Sequence, residues 1–189
     1  MRKRFFKLVL VLVVLWGIIA GKSGFLFAQE SANVRVTLER VEIQSYFPWT
    51  DLPARTPLAL GYVFNIENRS GSNLKLENFK FSTFFEAAPG QYLSITTPTT
   101  YDTIYFAPNT VSQYRVVDVL DSFTINLSLA VANALKMQEL NLNRADLIKS
   151  WYTKIGDFAF GIKVSDGMAV FSTEKGEMFV PFEGAFPKK

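Results

Sequence analysis

The chain has no histidine and no cysteine among its 189 residues. Without histidine it lacks the usual general base near neutral pH and the commonest metal ligand. Without cysteine it has no thiolate nucleophile, no disulfide and no N-terminal cysteine for lipid modification. Composition alone therefore excludes Ser-His-Asp and Cys-His catalysis, zinc sites and haem-histidine sites. Gly71, Gly90 and Gly167 stand singly at turns, so there is no Gly-rich loop to cradle a phosphate. The carboxylates nearest in sequence, Asp118 with Asp121 and Glu174 with Glu177, read as strand-end caps or solvated turn charges rather than a glycosidase pair. Asp157 and Asp166 lack the alternating acidic run of a calcium loop. No catalytic residue, cofactor site or metal site is expected.

Positive charge is also short outside the N-terminus. Of the 20 Lys and Arg, five (Arg2, Lys3, Arg4, Lys7 and Lys22) precede residue 29, so residues 29–189 hold 15 against 17 acidic side chains. A body that is slightly acidic and has no basic cluster loses the electrostatic basis for tracking nucleic acid.

What is present begins with a secretory pattern. Met1-Arg2-Lys3-Arg4 is a basic head, and Leu8 to Ala20 is an apolar run of 13 residues between Lys7 and Lys22. As a helix it would reach only about 20 Å at 1.5 Å per residue, short of the ~30 Å hydrocarbon thickness. The expectation is a signal peptide over 1–28, cleaved after Leu26-Phe27-Ala28, with Gly21 as a second point. The alternative is an uncleaved anchor extended through Phe25 to Ala28. Both readings place residues 29–189 outside the cytoplasm, periplasmic or extracellular. With no stable membrane span after cleavage, a cysteine-free body fits a bacterial envelope protein.

The body reads as one domain of short strands. Val34, Val36 and Leu38 lie on one phase and Val41 and Ile43 on the other, predicting a first strand bulged near Glu39-Arg40. Leu58, Leu60, Tyr62, Phe64 and Ile66 alternate, as do Leu74 and Leu76 and then Phe79, Phe81 and Phe85, with a Gly/Ser/Asn turn at Asn68 to Asn73. This pattern predicts a half-buried antiparallel hairpin. Ala88-Pro89-Gly90 turns into a strand at Tyr92 to Thr96, Thr103 to Phe106 makes another, and Val111 to Leu120 a longer one with apolar residues on both phases. The period then changes. Asp121 or Ser122 caps a helix with Phe123, Leu127, Val131 and Leu135 at four-residue spacing. Asn143 caps a second, Arg144 to Ile155, whose Leu147, Ile148, Trp151 and Ile155 form its apolar face and whose Gly156 is a left-handed terminator. Trp151 and Tyr152 fall on opposite sides of this helix, so one is expected to pack and the other to meet solvent. Phe158 to Val164 alternates, Asp166-Gly167 reads as a tight hairpin turn, and Met178, Val180 and Phe182 close the domain. The fold class is thus mainly β, an antiparallel immunoglobulin- or fibronectin-III-like sandwich with a helical insertion before the last strands.

Tyr62-Val63-Phe64-Asn65-Ile66-Glu67-Asn68-Arg69-Ser70, followed by Asn73 to Phe81, resembles the core hairpin of late-embryogenesis-abundant group 2 domains (LEA14-like, water-stress and hypersensitive-response). Asn68 matches the asparagine that ends the family's first core strand. The strand after Pro108-Asn109, the helical stretch, Phe158 to Val164, Gly167 and Pro181 to Gly184 follow the family order, so the resemblance spans most of residues 34–186. Where the family usually carries Asn-Pro-Asn, Arg69 replaces the proline and Gly71 turns the chain. The resemblance implies a fibronectin-III-like sandwich without established catalytic activity, a role in desiccation or stress protection, and lipid contact of the kind suggested for some members.

Aromatic residues make up 15% of the chain, 18 of them Phe, and most lie on alternating core phases. Tyr46-Phe47-Pro48-Trp49 differs, because four bulky residues in a Pro-bounded loop cannot all point inward from a regular pleat. Tyr46, Phe47 and Trp49 are the candidate partner or ligand contacts, either plugging one end of the sandwich or standing exposed as an anchor. Two functions follow. One is a non-enzymatic envelope protein that contacts an apolar ligand, lipid or client protein; the other is an adaptor that docks on an envelope protein through an edge strand or the Tyr46 to Pro53 loop.

Overall fold

Alternating apolar side chains build β1 (Val34–Tyr46) and β2 (Pro57–Asn68), which pair antiparallel, and β2 pairs in turn with β7 (Thr110–Asp121). The computed structural model describes residues 33–47 and 56–187; the expected signal segment and Trp49 lie outside the described residues. The second sheet is centred on β3 (Leu74–Ala88) and β8 (Ile162–Thr173), with β4 (Gln91–Thr96) outside β3 and β9 (Gly176–Phe186) outside β8. Two short strands, β5 (Thr99–Thr100) and β6 (Ile104–Phe106), continue the edge along β3 after Pro98 interrupts it. The result is the expected antiparallel sandwich. Its helices α1 (Ser122–Val131), α2 (Ala134–Glu139) and α3 (Arg144–Lys154) precede the last two strands.

The phase slip at Glu39-Arg40 is a true bulge: the register shifts between Leu38 and Arg40, which keeps Val34, Val36, Leu38 and Val41 all inward. A second slip, from Leu76 to Phe79, is absorbed by a shift between Leu76 and Asn78.

Leu58 to Phe85 does not form a hairpin. β2 and β3 belong to different sheets, and residues 69–73 carry the chain across the sandwich as an arch. The alternation reads the same way in both cases, because each strand needs one apolar face whether its neighbour lies beside it or opposite. Facing across the layer lets the rings meet: Phe64 stands edge-on to Phe79 at 4.9 Å, to Phe81 at 5.2 Å and to Phe182 at 5.2 Å, and Tyr62 to Phe81 at 5.1 Å, while within the second sheet Phe182 stacks on Phe79 at 4.6 Å. Nor is β2 half-buried. As the central strand of three it is covered on its outer face too, where Arg40, Glu42 and Arg115 form ion pairs of 2.6 and 2.8 Å beside Val63. The Arg40 guanidinium, with Arg115 beyond it, holds the Glu42 carboxyl below its usual range.

Asn68 makes the arch. Its Nδ2 donates to the carbonyls of Ser72 (2.9 Å), Ala107 (3.0 Å) and Phe106 (3.2 Å), while its Oδ1 accepts from the Ser70 amide (2.9 Å) and hydroxyl (2.6 Å). One fully buried amide therefore ties the β2–β3 crossover to the β6–β7 crossover at the same end of the sandwich. At that burial the Asn68-Arg69-Ser70 triplet offers no acceptor for glycosylation.

Asp166-Gly167 is a bulge inside one continuous strand rather than a hairpin turn. Asp166 takes a left-handed backbone (φ 53), the register slips between Val164 and Gly167, and a Cβ at Gly167 would stand 2.5 Å from the Phe182 ring and carbonyl. The hairpin comes later, at Thr173 to Gly176. The strand expected from Phe158 starts only at Ile162. The left-handed terminator of α3 is Phe158, since Gly156 lies inside a 3-10 turn over Ile155–Asp157. On β7, Val111, Val117 and Val119 of the outer phase are exposed, so this strand has one apolar contact face and not two.

The seam between β7 and the β4/β5 edge is polar. Thr96 donates to Asp118 (2.6 Å), and Tyr114 donates to Asp102 (2.9 Å) while receiving Thr100 (2.6 Å). Burial raises the Asp118 carboxyl against the opposing Thr96 bond, and burial with Asp102 nearby pushes the Tyr114 phenol up to about 12. Deeper in, the Tyr62 and Thr83 hydroxyls are fully buried, and neither has a hydrogen-bond partner among the described residues. Tyr62→Phe combined with Thr83→Val should therefore leave stability unchanged or raise it by about 1 kcal/mol. The urea midpoint at constant slope reads this out, and a loss of ~2 kcal/mol would show that the pair holds a stabilising bond.

Candidate functional site

The helical insertion is fastened to the sandwich by side chains that bond strand backbone. Asp121 caps α1 by accepting from the Thr124 amide (2.6 Å), and Ile125 and Leu129 turn inward. Between α1 and α2, Asn133 accepts from the Ser94 amide (3.0 Å) and donates to the Ser94 carbonyl (2.7 Å), pairing with β4 as another strand would. Ser128 donates to the same carbonyl (2.8 Å), and Lys136 to that of Tyr92 (3.1 Å). The edge of β4 is thus covered.

Asn143 caps α3 by accepting from the Ala145 and Asp146 amides. Leu147 and Ile148 are buried as expected, but Trp151 and Tyr152 are both buried, which corrects the expectation that one would face solvent. They point to different parts of the sandwich. The Trp151 indole donates to the Glu86 carbonyl (2.7 Å) and lies edge-on to Phe85, while the Tyr152 hydroxyl donates to the Thr56 carbonyl (2.6 Å). Burial raises the Tyr152 phenol well above its usual value.

Of the three predicted contact residues, Tyr46 is half-buried and donates to the Tyr152 carbonyl (2.8 Å), so it fastens the insertion. Phe47 is 56% exposed. Trp49 lies outside the described residues.

The stripe at four-residue spacing faces away from the core. Phe123 and Leu127 are each 53% exposed, Val131 74% and Leu135 77%. The buried side of α1 is instead Ser122, Ile125 and Leu129. Within α1 no residue is charged, so half of an uncharged helix is apolar and open to solvent. Between α1, α2 and the start of α3 lies a groove of about 580 Å³ with a mixed lining, apolar at Leu129, Ala130, Ala134 and Met137 and polar at Gln138, Asn141, Asn143 and Arg144. Four-residue spacing alone points equally to a core face or a docking face, and only the position of Ile125 and Leu129 distinguishes them.

The acidic residues do other work: Asp118 accepts from Thr96 and Asp121 caps α1. Among the described residues, no three acidic side chains lie close enough to hold a metal ion, and no helix is long and apolar enough to cross a membrane.

No protein-family model matches the chain, and no curated protein matches it. Among solved structures it is similar to the crystal structure of a protein from Archaeoglobus fulgidus, with 11% identity and a TM-score of 0.42 over 81% of this chain and 98% of that one. It is also similar to the X-ray structure of Northeast Structural Genomics Consortium target SoR45, with 18% identity and a TM-score of 0.40 over 83% and 89% of the two chains.

Proposed function

We propose that this is an exported, non-enzymatic binding or protective protein of the cell envelope, LEA14-like and stress-related, that offers its helical insertion to an apolar ligand, lipid or client protein. The observation that carries the reading is the exposed row Phe123, Leu127, Val131 and Leu135 along the insertion. Large contiguous apolar surface is uncommon on a protein that binds nothing. The missing histidine and cysteine support a role in binding over catalysis.

A second reading, an adaptor docking on another envelope protein, is favoured by β7. It is an edge strand of 12 residues that exposes Val111, Val117 and Val119 on its outer face, which suits strand addition by a partner.

Leu127→Glu with Val131→Glu tests the first reading. Both side chains lie on the solvent side, so the melting temperature should stay within about 2–4 °C of the parent. Native mass spectrometry of protein from cells expressing the full chain, followed by solvent extraction, should show bound lipid or client on the parent and not on the variant. Equal loading of the two would rule the stripe out, and one stoichiometric protein partner retained by both would favour the β7 edge.

A further inference from the structure

A second cavity, of about 320 Å³, opens where the ends of β3, β4, β8 and β9 meet. Four of its nine lining residues are aromatic, Phe158, Phe160, Phe186 and Tyr92, and Glu86 also lines it, its carboxylate accepting from the Gly90 (2.8 Å) and Gly161 (2.9 Å) amides. It is separate from the groove between the helices, with which it shares no lining residue.

Two features indicate that the cavity is built at some cost. The first is Phe158. It takes the left-handed conformation (φ 49, ψ 42) that closes α3 and its 3-10 turn, its amide donating to the Ile155 carbonyl (3.0 Å) and that of Ala159 to Lys154 (3.1 Å). Glycine is the usual residue at such a helix end, and a bulky side chain there is strained. The ring held in that position meets Phe186 edge-on, 5.0 Å away at 84°. Strain kept in a loop residue that lines a cavity is a pointer to function.

The second feature is Gly161. A Cβ there would lie 2.5 Å from the Tyr92 hydroxyl and 2.9 Å from a Glu86 carboxylate oxygen, so the bare backbone is what lets Tyr92 stand at the wall. Phe160 anchors the opposite side by tilting against Phe85 at 5.3 Å and Trp151 at 6.2 Å. Among the described residues, the Tyr92 hydroxyl has no hydrogen-bond partner, although the residue is half-buried.

We propose that this cavity binds a small monocyclic aromatic molecule carrying one hydroxyl or N–H group, its ring against Phe158 and Phe186 and its polar atom on the Tyr92 hydroxyl. Aromatic walls favour edge-on and offset contacts with an aromatic guest. A mostly apolar cavity with a few placed polar groups, here the Tyr92 hydroxyl and the Glu86 carboxylate already held by two amides, is the common form of a small-molecule site, and about 300 Å³ is the lower end of such sites.

The test uses phenol and toluene, which share a ring and differ by the hydroxyl, titrated into the full-length protein by calorimetry and by saturation-transfer NMR. Phenol should bind saturably and more tightly than toluene. Tyr92→Phe should weaken phenol by about tenfold, the worth of one hydrogen bond, and leave toluene unchanged. Phe158→Gly suits the left-handed backbone, so it should keep or raise the melting temperature while weakening both ligands at least about tenfold. Phe186→Leu is the companion variant if Phe158→Gly folds poorly, with the same expected loss. Binding that ignores Phe158, Phe186 and Tyr92, or no saturable binding of either ligand, overturns the proposal. Leu127→Glu with Val131→Glu should leave phenol binding intact, so failure at the insertion and failure at this cavity are read separately.

Discussion

Asn68→Asp is expected to destabilise the sandwich by about 3 kcal/mol or more at neutral pH, because it buries an unpaired carboxylate against acceptors. The Asn68 Nδ2 faces three carbonyl oxygens and donates to each, of which those of Ser72 and Ala107 also accept from the Ser70 and Thr110 hydroxyls. A carboxylate oxygen in that position brings repulsion instead, in a site with no exposure. The variant can relieve the clash only by taking up a proton, so its carboxyl is raised in the folded state above its unfolded value. The sign follows: the folded form binds the extra proton, and stability is lost as pH rises from the unfolded pKa through the folded one. Urea unfolding at pH 7 and pH 4 should therefore show the gap between Asn68→Asp and the parent narrowing in acid. Asn68→Ala provides the comparison, with a loss that does not change with pH. If Asn68→Asp unfolds at the same urea concentration as the parent at pH 7, Asn68 does not hold the two crossovers together.

Trp151→Ala is the second large effect. Truncating a buried tryptophan costs about 3–5 kcal/mol through the cavity it leaves, and here the indole is 2% exposed between Phe85 and Phe160. It also leaves the Glu86 carbonyl without the indole donor. Trp151→Phe keeps most of the packing and should cost about 1–2 kcal/mol, mainly the hydrogen bond. The loss should be uneven across the molecule. α3 leans on the sandwich chiefly through Trp151 and Tyr152, so amide exchange in α1 to α3 should quicken in Trp151→Ala more than exchange in β2 or β3. Uniform loss of protection would mean that the insertion and the sandwich unfold as one unit.

Much of the architecture is legible in the residues, and what is not has definite causes. The β1 bulge was readable because a phase slip between Leu38 and Val41 leaves a mark in the order of apolar residues. Both helix caps were readable because Asp121 and Asn143 bond amides two or three residues away. Strand pairing was not, since period two records which face is apolar and nothing about which neighbour lies alongside, so an arch at Asn68 and a hairpin there look alike. The Asp166-Gly167 pair misled for a related reason: the backbone that suits a tight turn also suits a bulge, and the partner Phe182 that decides between them is remote in sequence. At the candidate site, Tyr46 and Phe47 were visible as an unusual aromatic cluster. The exposure of Phe123, Leu127, Val131 and Leu135 was hidden, because the helix docks through only two apolar residues, Ile125 and Leu129, helped by the polar Ser128 and Asn133. The aromatic cavity was hidden further, since Tyr92, Phe158 and Phe186 come from three separate segments.

The crossover at Asn68 also sets an order of events. With β2 and β3 in different sheets, β2 waits for β7, some fifty residues later, and β3 waits for β8, whose Ser172 pairs with Lys75. A chain emerging N-terminus first can complete the β1-β2-β7 sheet and the short pairs of β3 with β4, β5 and β6 once residue 121 has appeared, but β3 has no long partner until residue 162 and beyond. Such distant pairings make folding slow. If the chain is exported as proposed, this delay is an advantage for passage through a translocation channel, because the second sheet, and with it the core between the sheets, closes only late in synthesis. Moving β8 and β9 ahead of β1 by circular permutation should speed folding and, by the same logic, impede passage.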